Sequence, residues 1–264
     1  MLPSLTSKSR RRAACAGVLA ALCSVMPGSP ARADIVIQIN GVDGELRRNV
    51  LAYLSLERYK GRDDLDANLV ERLQERAVRE AAAALRPFGY YEAKVEASVE
   101  KIDETRWRAR LQIDTGIPVM MQDVILRVEG PGLEHPAFQE LLRDPPLRVG
   151  KRLDHAAYDS IKDSLRRTAA TLGFVEAQLT TSELRVDPEL KTATATLILQ
   201  TGPRYSFGST IIEQRSLDES LLRRYLRYED GSPYDATQLL RTQFALDDSQ
   251  YFSAVEVLAG EPDA

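Results

Sequence analysis

Leu85-Arg86-Pro87-Phe88-Gly89-Tyr90-Tyr91-Glu92-Ala93-Lys94-Val95 closes an apolar-striped helix, turns at a glycine and opens an alternating strand on an aromatic pair. A cousin recurs at Leu172-Gly173-Phe174-Val175-Glu176-Ala177-Gln178-Leu179, and a third at Gln250-Tyr251-Phe252-Ser253-Ala254-Val255. Gly173 follows Gly89 by 84 residues and Gln250 follows Gly173 by 77. That period is far longer than a solenoid repeat, so each unit is expected to be a small domain on a string.

Upstream of the first junction, Val70, Leu73, Ala77, Ala81, Leu85 and Phe88 recur at three- and four-residue steps, which predicts one buried helical stripe. Asp66 is placed to cap that helix and Gly89 to stop it. Ile35 to Gly41 reads as a strand and Glu45 to Glu57 as a first helix. Downstream, Tyr91, Ala93, Val95, Ala97 and Val99 alternate with polar residues, as do Trp107, Ala109, Leu111 and Ile113. A register whose paired numbers sum to 206 sets Glu100 by Arg106 and Glu96 by Arg110 on the wet face. The order is β-α-α-β-β, helices on one face and water on the other.

The second unit copies the first. A strand over 124–128, a short helix from Pro136 to Leu142 and a helix capped by Gly150-Lys151-Arg152-Leu153-Asp154 lead to Gly173. Asp187-Pro188 then turns the hairpin, and Ala193, Ala195, Leu197 and Leu199 line its return strand. In the third unit a strand at Thr210-Ile211-Ile212, a helix from Asp218 to Arg227, a second capped at Asp235 and a strand over Ala254–Leu258 are expected, with no final strand. The fold class is therefore α+β, a tandem array divided at 34–119, 120–207 and 208–264, its third member incomplete.

Residues 1–33 read as a secretory signal peptide: basic Lys8 and Arg10 to Arg12, an apolar run to Met26, and a small-residue cleavage site at Ala31-Arg32-Ala33. Both cysteines lie within it, so an exported mature chain would hold together without disulfides. The leader carries five basic residues; 35 less five leaves 30 against 39 acidic ones, a balance of −9 that argues against nucleic acid.

No pattern of catalytic chemistry survives inspection. Asp64-x-Asp66-x-Asn68 with Glu75 imitates a calcium loop, but Leu69 stands where the loop needs glycine. Gly130-Pro131-Gly132 lacks a third glycine, and the two histidines, His135 and His155, are too few for zinc and read as solvated. The junction aromatics Tyr90, Tyr91, Phe174, Tyr251 and Phe252 each follow a helix end and face the helix–sheet seam, which reads as core packing rather than ligand stacking. No enzyme activity, metal or cofactor is expected.

Three β-α-α-β-β units after a leader, with Gly-aromatic junctions, resemble POTRA domains, the periplasmic modules of the Omp85 superfamily. Ile39-Asn40-Gly41-Val42-Asp43-Gly44-Glu45-Leu46, Thr201-Gly202-Pro203-Arg204-Tyr205-Ser206-Phe207-Gly208 and Tyr251-Phe252 carry the likeness, which favours TamA-like outer-membrane assembly factors. The resemblance implies a periplasmic arm attached to the outer membrane through a barrel beyond this chain. It implies a TamB-like inner-membrane-anchored subunit and unfolded outer-membrane proteins, autotransporters among them, as partners. In that family the second strand of each unit lies at a sheet edge open to strand addition. Those strands are Tyr91, Ala93, Val95, Ala97 and Val99 in the first unit and Val175, Ala177, Leu179 and Thr181 in the second. A rival reading is a POTRA-fold adaptor of a division or two-partner secretion complex that binds no client.

Overall fold

The computed structural model describes residues 34–62, 66–103 and 106–260; the expected leader, Asp64 and the end of the chain lie outside them. In the first unit, β1 (Asp34–Asn40) leads to α1 (Gly44–Tyr53), α2 (Ser55–Arg58) and α3 (Ala67–Leu85). A 3-10 turn at Arg86–Phe88 follows, then β2 (Lys94–Lys101) and β3 (Arg106–Asp114). The second unit runs β4 (Met120–Glu129), α4 (Pro136–Arg143), α5 (His155–Thr171), β5 (Gln178–Asp187) and β6 (Thr192–Gln200). The third segment holds α6 (Glu219–Arg223) and α7 (Ala236–Asp248).

Each of the first two units forms its own three-stranded sheet, ordered β1-β3-β2 and β4-β6-β5. The last strand of each unit is thus central, parallel to the first and antiparallel to the second. Two separate cores follow. One gathers Ile35, Leu73, Ala77, Leu85 and Leu111; the other gathers Phe138, Leu153, Leu165, Phe174 and Leu197. The predicted stripe of α3 is buried from Val70 to Leu85, and Asp66 caps it by accepting from the Leu69 amide at 2.6 Å. Asp154 and Asp235 cap α5 and α7 in the same manner. Among the described residues no helix is long and apolar enough to cross a membrane.

Several expectations are corrected. The first helix breaks at Leu54, whose ψ of 120° is extended. The cause is tertiary: Glu80 of α3 accepts from the Ser55 amide at 2.7 Å and from the Ser55 hydroxyl, pulling a new helix start out of the old one. The β2–β3 register pairs numbers summing to 208, with Val99 opposite Ala109 and Glu100 opposite Arg108. A two-residue slip leaves every side chain on its predicted face, so alternation alone cannot distinguish the two registers. The expected strands at Thr210–Ile212 and Ala254–Leu258 are not formed. In this topology those two segments flank the unit's third strand and do not touch each other, and no such strand exists among the described residues.

Candidate partner-binding edges and the joint between units

Sheet order decides which backbone groups are free. β2 and β5 each pair on one side only, as the family resemblance anticipates, with β1 and β4 at the opposite edges. Of the residues singled out in the first unit, Val95, Ala97 and Val99 lie on β2, half-buried against the α3 side, while Lys94, Glu96, Ser98 and Glu100 face solvent. Tyr91 and Ala93 precede the strand. In the second unit Leu179 and Thr181 lie on β5, but Val175 and Ala177 precede it, and Val175 is 57% exposed. A bulge at Thr180 shifts the register, so the inward row continues through Leu184 and Val186, two residues that regular alternation from Leu179 would misplace.

The outer face of the first sheet carries ion pairs. Glu100 meets Arg108 at 2.8 Å and Arg110 at 3.0 Å. The hydrogen bond from Arg108 holds the Glu100 carboxyl below the usual carboxylate range. Such exposed pairs steer encounter more than they stabilise.

The junction sequence does more than end a helix. Gly89 has φ +83 and Gly173 the same value, a left-handed conformation that points each carbonyl toward the next unit. The Val119 amide donates to the Gly89 carbonyl at 2.8 Å, and the Tyr205 amide donates to the Gly173 carbonyl at 2.8 Å. Val119 in turn accepts from the Leu153 amide, and Tyr205 from the Tyr234 amide, both at 2.9 Å. Two steps on, Met121 and Phe207 each bond the turn that begins the following helix, at Gly150-Lys151 and Gly231-Ser232. One clasp is therefore built twice, from equivalent residues.

Side chains lock it. Tyr91 packs on the core of the second unit, not its own, and its hydroxyl lies 2.8 Å from Nε2 of His155. Arg152 stacks over Tyr90 and bonds its hydroxyl at 3.2 Å. Glu92 pairs with Lys191, and the equivalent Glu176 accepts from the Tyr205 hydroxyl at 2.9 Å. Arg204 donates to the carbonyls of Leu172 and Tyr234 at 2.8 and 3.1 Å.

These contacts correct the reading of the aromatics and histidines. Phe174 is buried in its own unit's core, Tyr90 is half-buried against its own, Tyr91 crosses to the neighbour, and Tyr251 is half exposed. His155 belongs to the joint, and His135 caps α4, its Nδ1 accepting from the Ala137 amide at 3.2 Å. Burial, with Arg204 nearby, lowers the His135 pKa. Sequence could not show this, because a helix-end aromatic carries no mark of which unit it enters. Gly130-Pro131-Gly132 is a turn, tied to Thr201 by the Gly132 amide. Among the described residues no group of three potential metal ligands converges.

Residues 36–115 match the family model described as POTRA domain, TamA domain 1. Among solved structures, Haemophilus influenzae BamA POTRA3-5 is 17% identical with a TM-score of 0.44, covering 86% of this chain and 88% of that one. POTRA1-3 of Omp85 from Anabaena is 15% identical with a TM-score of 0.30, covering 85% and 86%. CdiB from Escherichia coli is 13% identical with a TM-score of 0.27, covering 66% and 29%. Structural likeness at this level is low, and the assignment rests on the family match and the sheet order repeated in the second unit. Residues 36–115 are therefore similar to the first POTRA domain of TamA, and the second unit repeats their sheet order.

Proposed function

We propose that this chain is the periplasmic arm of an outer-membrane protein assembly factor of the TamA type. Of its units, 34–119, 120–207 and 208–264, the first two hold extended clients by adding a strand at a sheet edge. The observation that carries this reading is the sheet order: β2 and β5 each present one row of backbone N–H and C=O groups that no strand among the described residues pairs. Backbone pairing tolerates many sequences, as a factor handling many clients requires. The clients are unfolded outer-membrane proteins, autotransporters among them, and the first unit docks a TamB-like inner-membrane-anchored subunit. The clasps at Gly89 and Gly173 suit this work by presenting successive edges at fixed spacing. The test is photo-crosslinking to a urea-unfolded outer-membrane barrel protein from probes along β2, β5 and the outer faces of α3 and α5. Labelling at the strand positions of at least one of the two edges is expected. Labelling confined to the helices would overturn the reading, and unlabelled edges would leave a scaffold that binds no client.

A further inference from the structure

The two edges are not equivalent. Gln74 reaches from α3 onto the free side of β2, where its Nε2 donates to the Ala97 carbonyl at 3.0 Å and its Oε1 accepts from the Val99 amide at 3.2 Å. Bonds to the carbonyl of one residue and the amide two positions on are what a single residue of an added parallel strand would make. The side-chain amide thus stands where a client's backbone would lie, and α3 runs against β2 beside it. A short polar plug of this kind is one way a protein protects an exposed edge.

The second unit lacks the plug. Fifteen residues before the junction glycine, where the first unit has Gln74, the second has Tyr158, and its hydroxyl meets the Ser182 hydroxyl at 3.1 Å rather than the backbone of the strand. Among the described residues no side chain bonds the outer edge of β5, and α5 makes no broad contact with that strand. The open edge is flanked inward by half-buried Leu184 and Val186 and outward by exposed Glu183 and Arg185. A strand added there meets an apolar row on one face and charged groups on the other.

We propose that Gln74 closes the edge of the first unit, so that strand addition in this pair of units is directed to β5. The preferred client segment is extended, with apolar and polar residues alternating. The proposal rests on the reading of the edges as client sites.

The experiment uses the full chain with a benzophenone side chain at position 98 or 183. The probe is a synthetic peptide of alternating valine and threonine with lysines at both ends. Labelling at 183 and little at 98 is expected; Gln74→Met should raise labelling at 98 at least about fivefold and leave 183 unchanged. Independently of any peptide, Gln74→Met should speed hydrogen exchange of the Val99 amide about fivefold, with Leu111 exchange unchanged as the check on folding. Gln74→Glu, which keeps an acceptor for Val99 but no donor for Ala97, should fall between. Unchanged Val99 exchange, or clear labelling at 98 that is equal with and without Gln74, overturns the plug while leaving the edges as client sites. No labelling at either position in any variant, with Val99 exchange raised, overturns the client reading and keeps the plug as a guard on the edge.

Discussion

The amide of Tyr205 donates to the carbonyl of Gly173 at 2.8 Å, and the same bond joins Val119 to Gly89 one unit earlier. A backbone bond between units is thus repeated at equivalent positions and braced by Arg204 in one joint and Arg152 in the other.

Both joints depend on glycine. A Cβ at Gly89 would sit 2.9 Å from the Leu153 carbonyl oxygen, and one at Gly173 would sit 2.8 Å from Cβ of Tyr234. Gly89→Ala and Gly173→Ala therefore combine a positive φ with a close contact, and each is expected to cost about 2 kcal/mol in urea unfolding. Small-angle scattering should show altered spacing between the units the substituted joint connects.

The third junction has the shape without the residue. Gln250 occupies the position of the two glycines and adopts φ +57. Its amide bonds the Asp247 carbonyl at 3.1 Å, as Gly89 bonds Arg86 at 2.9 Å. Left-handed backbone disfavours a side chain, so Gln250→Gly should stabilise this end of α7 by about 1 kcal/mol. Hydrogen exchange of the last turn of α7 reads the gain as slower exchange.

Tyr91→Phe removes the hydroxyl that meets His155 but keeps the ring on the second unit's core. A loss of about 1 kcal/mol is expected, read as weaker coupling between the unfolding of the first and second units. Burial raises the Tyr91 pKa, with Arg86 opposing. The phenol's contribution is accordingly present below the unfolded tyrosine pKa and lost as pH rises through the higher folded value. Stability measured on the alkaline side should fall in the wild type and much less in Tyr91→Phe.

Glu100 behaves oppositely. Its carboxyl is held low chiefly by the hydrogen bond from Arg108; burial opposes this as the next largest effect, and the charges of Arg110 and Arg108 add smaller lowering contributions. The pairing contributes above the unfolded carboxylate pKa and is lost as pH falls through the lower folded value. Arg108→Gln should move the Glu100 titration upward toward the ordinary range, followed by carboxyl chemical shifts in NMR.

What the chain could say about itself is local. The stripe on α3, the Asp66, Asp154 and Asp235 caps, the glycine stops and the inward rows of β2, β3 and β6 all follow from spacing, because helix and strand periods fix which side chains share a face. The strand order, the second helix start at Ser55, the crossing of Tyr91 to its neighbour and the plug of Gln74 on β2 were decided only in three dimensions. Each depends on groups between 20 and 75 residues apart, and a period of two or of 3.6 carries no information about partners at that distance. The missing strands of the third segment make the same point: 210–212 and 254–258 have strand-like sequences, yet in this topology each needs a central neighbour to pair with.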